Sequence, residues 1–160
     1  MNALRQIFRE MGFDEQTVRL PEAGVIYALA RTYSVVSRKL AGVYARVGLS
    51  AASFNLLMLL ARGQHPDSFT QQALGKRLVV SASDMTGLVD RLERKQLVKR
   101  IPGKDRRSHF LRITPKGEAL VDQAWPHHVD AVKGLAEVLT ARERTVLLQA
   151  LARLRATVEA

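Results

Sequence analysis

The stretch that decides the fold is VDRLERKQLVKRIPGKDRRSHFLRITPKG, residues 89–117. It begins with helical periodicity and continues as two strand-like runs, VKRI and SHFLRI, which flank a turn signal at Pro102–Gly103. In the second run His109, Leu111 and Ile113 would share one face of a strand, while Phe110 and Arg112 share the other. The stretch therefore predicts a helix followed by a basic β-hairpin.

Positive charge is concentrated around this stretch. Residues 70–117 contain twelve Lys or Arg and four acidic residues, which is +8 of the chain's net charge of +10. Clustered cations repel one another unless a polyanion accepts them, so such a surface favours nucleic acid first and anionic membrane second. The concentration predicts a binding surface on this segment rather than an ordinary solvated face.

Two short helices are predicted just before the hairpin. Thr70 is placed to cap QQALGKRL and Ser81 to cap ASDMTGLVDRLERKQ, with a tight turn at Val79–Val80 between them. Such a pair, with the second helix basic toward its end, is typical of a helix-turn-helix. A basic hairpin directly after it is typical of a wing and makes the interpretation much more specific.

Helices also dominate the chain before this segment. Apolar spacing predicts a short helix ended by Gly12, a long helix over roughly 22–47 ended by Gly48, and a buried helix in SAASFNLLMLLAR. Ser50 and Ser53 are both possible caps of the buried helix.

After the hairpin, Thr114 is predicted to cap a helix that extends to about residue 139, with an interruption at Pro126, where a kink is expected. The sequence TARE at 140–143 has the form of a capping box and begins the last helix. The predicted fold class is therefore mainly α with a small β-wing.

Composition narrows the possible functions. With 160 residues, 47% of them apolar, the chain is sized for one domain with a packed core. It has no cysteine for disulfides or thiolate metal sites, and no apolar run long enough to span a bilayer. Because the first residues also lack the apolar region of a secretion signal, we expect a cytoplasmic protein.

Motifs of catalysis are missing as well. No phosphate-binding glycine loop, serine elbow or paired-carboxylate motif occurs, so we expect neither an enzyme nor a cofactor. His127 and His128 have no further ligands at metal-binding spacing, and we interpret them as surface or pocket-edge histidines.

The order of elements resembles the MarR family of bacterial winged helix-turn-helix transcription regulators. The resemblance covers roughly residues 22–158 in layout and is most specific over 70–117, where Asp105-x-Arg107 and the Thr-x-x-Gly of Thr114 and Gly117 are similar to that family's wing signature. Gln96 stands where the family usually has glycine, and Gly87 where it often has a longer side chain.

The resemblance implies a winged-helix homodimer that binds operator DNA, usually as a repressor relieved by a small ligand. We predict a single domain with an N-terminal extension helix in 1–20, dimerisation helices in 22–63 and 114–158, and a DNA-binding lobe in 64–113. An alternative is a winged-helix module that binds proteins and not DNA. Peripheral membrane binding through the N-terminal segment ranks last, because that segment is short and weakly basic.

Candidate DNA-binding residues lie in the two short helices and the wing. Arg107 is expected to enter a minor groove, where a narrow groove attracts arginine, and Asp105 to hold a guanidinium in place. Asp84 could accept from a cytosine amino group or only support the start of its helix. One of Arg91 and Arg94 is expected to bind phosphate while the other pairs with Asp90 or Asp105. The full set is Gln71, Lys76, Arg77, Ser81, Ser83, Asp84, Thr86, Arg91, Arg94, Lys104, Asp105, Arg106 and Arg107, with Gln72 as a further backbone contact.

A ligand pocket is a second expectation taken from the resemblance. Aromatic and basic side chains on the long first helix would face residues of the helix after the wing. The alternative, which is favoured for any single residue, is ordinary core or dimer packing. The candidates are Tyr27, Arg31, Tyr33, Tyr44, Trp125 and His128.

Overall fold

The computed structural model describes residues 3–13, 21–64, 69–78, 80–102 and 109–159 of the chain. The elements are α1 (Ala3–Glu10), α2 (Pro21–Ala45), α3 (Ala51–Arg62), α4 (Gln71–Leu78), α5 (Ala82–Arg94), β1 (Val98–Pro102), β2 (His109–Ile113), α6 (Pro115–Ala136) and α7 (Ala141–Glu159). The predicted fold class, mainly helical with a small two-stranded sheet, is confirmed. None of the described helices is long and apolar enough to cross a membrane.

The chain divides into two compact units, Met1–Gly42 and Val43–Ala160. In the first unit, Phe8 of α1 is buried and meets the Tyr27 ring of α2 edge-on, at 6.3 Å between centroids. Phe13 stacks on the same tyrosine at 5.4 Å. Gly12 ends α1 with a left-handed φ of 74°, a conformation that glycine adopts without a steric penalty.

The core of the second unit forms around α3, which packs against α6, β2, α4 and α5. Phe54, Leu56 and Leu57 of α3 are fully buried, as the apolar LLMLL run predicts. They are joined by Met85 of α5 and Leu111 of β2. The helix-turn-helix and the wing are therefore anchored on the same hydrophobic core.

Side-chain caps begin the helices where the sequence predicts them. The Ser50 hydroxyl accepts from the Ser53 N–H at 3.1 Å, which identifies Ser50 as the cap of α3. The Thr140 N–H donates to the Glu143 carboxylate at 2.7 Å and the Glu143 N–H to the Thr140 hydroxyl at 3.3 Å, which completes the capping box of α7. These bonds to Thr140 lower the pKa of Glu143.

Helix α6 continues across Pro126, so the prediction of a break in the helix there was wrong, while the expected kink stays a prediction. Proline removes one backbone N–H donor, the one that would bond four residues back. Hydrogen bonds on either side of that position keep the backbone helical, and the exposed Pro126 ring lies at the surface.

Strands β1 and β2 form the antiparallel wing, with Val98 opposite Ile113 and Pro102 opposite His109. The Leu111 N–H also donates to the Phe69 carbonyl at 2.9 Å, which ties β2 to the segment before α4. The segment between the strands, residues 103–108, lies outside the described residues, as does Val79 of the predicted tight turn.

Candidate nucleic-acid interface

The N-terminus of α5 is organised by hydroxyl and carboxyl groups. The Ser81 hydroxyl accepts from the Asp84 N–H at 3.1 Å and donates to the Asp84 carboxylate at 2.6 Å. The Ser83 hydroxyl lies 3.0 Å from that of Ser81. All three side chains are exposed. Asp84 thus supports the start of α5, which is one of its two predicted roles. Its contact with a cytosine amino group stays a prediction.

Helices α4 and α5 are joined by two of the predicted DNA-binding residues. Gln71 Nε2 donates to Thr86 Oγ1 at 2.7 Å, and the Thr86 hydroxyl donates to the Ala82 carbonyl at 3.0 Å. The bond between the two side chains fixes how the first helix of the motif meets the second. Gln72 is exposed in the same turn of α4 as Gln71.

Two cations end α4. Lys76 and Arg77 are both exposed, and the Arg77 guanidinium lies over the Phe69 ring at 5.4 Å from its centroid. The ring restrains Arg77 through a cation–π contact and leaves the guanidinium edge toward solvent.

The charged residues of α5 pair differently from the prediction. Arg91 and Arg94 are exposed, and Arg94 Nε donates to the backbone carbonyl of Asp90 at 3.3 Å. The expectation that the Asp90 carboxylate pairs with one of these two arginines was wrong, while the alternative partner, Asp105, lies outside the described residues, so that pairing stays a prediction. Arg100 of β1 takes the Asp90 carboxylate at 2.5 Å, because the strand runs alongside that face of the helix.

Arg100 is a residue that reasoning from sequence missed. Its guanidinium also pairs with the Glu93 carboxylate, and its backbone N–H donates to Glu93 Oε1 at 3.2 Å. The hydrogen bond to Asp90 raises the pKa of Arg100 and outweighs the effect of burial. The signal in the sequence was the spacing of Asp90 and Glu93, which places two carboxylates on one face of a helix.

The base of the wing is joined to α6 through the Thr-x-x-Gly motif. The Thr114 hydroxyl donates to the Gln96 carbonyl at 2.7 Å and accepts from the Gly117 N–H at 3.1 Å. A Cβ on Gly117 would lie 2.3 Å from the Leu97 carbonyl oxygen, so only glycine fits there. The motif thus fixes the first turn of α6 against the junction of α5 and β1.

The predicted tip of the wing lies outside the described residues. This covers Lys104, Asp105, Arg106 and Arg107. Their roles stay predictions, although the two strands that carry them are described on either side.

The ligand candidates lie in both units. Tyr27 is held between Phe8 and Phe13 in the first unit, where Arg31 and Tyr33 are exposed. In the second unit the Tyr44 hydroxyl lies 2.9 Å from His128 Nδ1, in hydrogen-bonding distance. Burial raises the pKa of Tyr44 and lowers that of His128.

The His128 ring also belongs to an aromatic row that the sequence did not predict in full. Its centroid lies 5.0 Å from Phe54 and 5.3 Å from Trp125. The Arg62 guanidinium covers Trp125 at 4.8 Å from the ring centroid and pairs with Asp122 at 2.8 Å. The row therefore joins α3 and α6 through ring contacts and ends at the ion pair of Arg62 and Asp122.

A helix-turn-helix followed by a two-stranded wing, in the most basic part of the chain, defines a winged helix-turn-helix DNA-binding protein. The MarR family model matches residues 47–108, which include α3 to β1. The transcriptional regulator PecS of Dickeya dadantii (strain 3937) is 30% identical over 130 residues, which cover 81% of this chain and 78% of PecS.

Solved structures of MarR family regulators have the same fold as this chain. A MarR mutant from E. coli, complexed with operator DNA, is 27% identical with a TM-score of 0.68, over 81% of this chain and 94% of that one. AbsC, a MarR family transcriptional regulator from Streptomyces coelicolor, has the same fold, with a TM-score of 0.81 and 22% identity over 89% of this chain and 97% of that one. The chain belongs to the MarR family and is a DNA-binding transcription regulator, not an enzyme.

Proposed function

We propose that the protein is a homodimeric repressor that binds a near-palindromic operator and releases it when a small ligand binds. The observation that carries the proposal is the exposed N-terminal turn of α5 beside the basic end of α4. Residues at the start of a recognition helix meet base edges in the major groove, while flanking cations bind phosphate. The operator bound by the E. coli relative supports the same mode of binding here.

In this proposal the Ser81 to Thr86 turn reads bases, and Lys76, Arg77, Arg91 and Arg94 bind the backbone. Arg107 enters the minor groove beside each major-groove contact. We retain residues 22–63 and 114–158 as dimerisation helices and 64–113 as the DNA-binding lobe, in one functional domain located with DNA in the cytoplasm.

The apolar surface of α7 supports a homodimer. Val146, Leu147, Leu148 and Leu151 are 58%, 47%, 68% and 36% exposed. Among the described residues nothing covers these side chains, and burying an exposed apolar helix face against a second copy is stabilising. In the first unit, α2 exposes Val25, Ile26 and Tyr33 in the same way. A dimer places two recognition helices about one turn of DNA apart, which matches a palindromic site.

The row formed by Tyr44, Phe54, Trp125 and His128 supports a ligand-responsive mechanism. It connects α2, α3 and α6, so a ligand inserted among the rings would change how these helices pack. Such a ligand weakens DNA binding only by its difference in affinity between the two states. Tyr27, Arg31 and Tyr33, which lie in the first unit, stay separate candidates for ligand contacts.

Fluorescence anisotropy with the DNA upstream of the protein's own gene tests this function. We expect tight binding at moderate salt, protection of a near-palindromic site by footprinting, and release by an aromatic acid found through thermal-shift screening. Equal affinity for this fragment and for scrambled DNA of the same length would contradict sequence-specific regulation.

A further inference from the structure

Asp90 and Glu93 are two carboxylates on the recognition helix, in a segment whose other charges are mostly positive. A carboxylate near DNA repels phosphate, so the presence of two acidic residues on a DNA-binding helix requires a structural explanation. In the structure their side chains are 49% and 39% exposed, and both pair with the Arg100 side chain, which is only 26% exposed.

We infer that Arg100 is a positioning residue that holds the wing at a fixed angle to the recognition helix, with Asp90 and Glu93 as its anchors. The inference rests on the proposed binding of operator DNA by α5 and the wing. Arg100 itself contacts no base. It determines where the tip segment, which begins three residues later at Gly103, meets the DNA.

The geometry of the contact supports this role. A guanidinium presents donors in a planar fork, so binding two carboxylates at once fixes the direction of the side chain as well as its position. The Arg100 backbone N–H bonds the same Glu93 carboxylate at 3.2 Å, which also fixes the strand. The contacts of Arg100 with Asp90 and Glu93 therefore hold the backbone of β1 as well as a flexible side chain.

The wing needs such an anchor because it is small. Its two strands have five residues each, and an isolated two-stranded hairpin is at most marginally stable in water. Thr114 and Gly117 fix its base, and the Leu111 bond to Phe69 holds β2. Arg100 is the contact that ties β1 to the recognition helix close to the tip.

Arg100 could instead be an ordinary phosphate contact, and the two roles predict opposite effects of neutralising its partners. Electrostatics alone predicts that the double variant Asp90→Asn/Glu93→Gln binds DNA more tightly, because two negative charges are lost. A positioning role predicts weaker binding to the operator, because the wing is no longer held in register.

The test compares this double variant with wild type on the upstream fragment and on scrambled DNA of the same length, at several salt concentrations. We expect operator affinity to fall about tenfold, with affinity for scrambled DNA unchanged or higher, so that the specificity ratio drops. Operator affinity equal to or above that of wild type would overturn the inference.

Two further variants keep the test sharp. Asp122→Asn removes a carboxylate that pairs with Arg62 on α3 and not with Arg100, and should leave operator affinity within about twofold. Arg100→Lys keeps the charge but loses the fork, so it should lower the specificity ratio without reducing the salt slope. A specificity ratio in Arg100→Lys equal to that of wild type would show that the fork is not needed and would overturn the inference.

Hydrogen exchange on the free protein separates this inference from the proposed function. Strands β1 and β2 should exchange faster in Asp90→Asn/Glu93→Gln than in Asp122→Asn. If wild type fails to select the upstream fragment, the proposed function is wrong. The exchange rates still show whether the contacts of Arg100 with Asp90 and Glu93 hold the wing. Equal exchange rates in the two variants would overturn the inference.

Discussion

Gln96 has a left-handed backbone, with φ of 60°, at the junction of α5 and β1. Gln96 stands where glycine is usual in the family, and glycine adopts this backbone without a steric penalty. The turn is kept because Gln96 is bonded on both sides: its N–H donates to the Glu93 carbonyl at 2.8 Å and its carbonyl accepts from Thr114 at 2.7 Å.

Replacing Gln96 by glycine should therefore stabilise the protein. Left-handed backbone costs a residue with a Cβ about 1 kcal/mol, so Gln96→Gly should raise the free energy of unfolding by about that amount in urea titrations. Gln96→Ala keeps the strained Cβ and should leave stability near that of wild type. A glycine variant less stable than the alanine variant would show that the backbone carries no strain there.

His128 should make stability depend on pH. Burial lowers its pKa in the folded protein, so the unfolded chain binds a proton more readily. Above the ordinary histidine pKa of 6.5, His128 is neutral in both the folded and the unfolded chain, and the protein has its full stability. As the pH falls through 6.5 toward the lower folded pKa, the unfolded chain takes up the proton first, and the free energy of unfolding decreases. The Tyr44 hydroxyl is its hydrogen-bonding neighbour.

Urea titrations between about pH 7.5 and about pH 5.5 measure this effect. The stability difference between wild type and His128→Gln should narrow as the pH falls. The exposed neighbour His127 offers a matched control, and His127→Gln should follow the wild-type profile. A constant difference between wild type and His128→Gln across this range would contradict a lowered pKa of the half-buried His128.

At the scale of elements, helix starts and strands were predictable because they depend on local chemistry. A cap such as Ser81 or Thr114 needs only neighbours within the same turn, and strand alternation is visible over five residues. The partners of Asp90 were not predictable in this way. Arg100 reaches it across a helix–strand contact, and only the packed geometry decides which of several nearby arginines does so.

The cap of α5 gives a test at this scale. Ser81→Ala removes the acceptor of the Asp84 N–H and should lower the free energy of unfolding by about 1 kcal/mol. Ser83→Ala removes a neighbouring exposed hydroxyl that accepts from no helix N–H among the described contacts, and should cost less than about 0.5 kcal/mol. Equal losses in the two variants, measured by chemical denaturation, would rule out the assigned cap.

At the scale of the whole molecule, charge and element order were enough to predict a winged helix-turn-helix, and the fold confirms it. The continuity of α6 through Pro126 was not predictable, because it depends on the turns on either side and not on the proline alone. The wing tip stays a prediction from its sequence, since residues 103–108 lie outside the described part of the chain.

The proposed dimer depends on the apolar face of α7. Leu147 and Leu151 are four residues apart and share that face, so Leu147→Glu/Leu151→Glu would bury two carboxylates in the interface. We expect the dimer dissociation constant to rise by at least about 100-fold in sedimentation experiments. Gln149→Glu places a charge on the opposite side of α7 and should remain dimeric. If the double variant dimerises as tightly as wild type, the interface does not include this face of α7.

We propose that the basic wing binds DNA, and the salt dependence of binding by Arg107→Ala is the sharpest test of this role. Binding to the upstream fragment should be weaker than in wild type, and the slope of log K against log salt should be shallower by about 0.9 for each wing. Lys133→Ala, on α6, removes an exposed cation outside the DNA-binding lobe and should leave both quantities unchanged. Affinity and slope equal to wild type in Arg107→Ala would contradict the account.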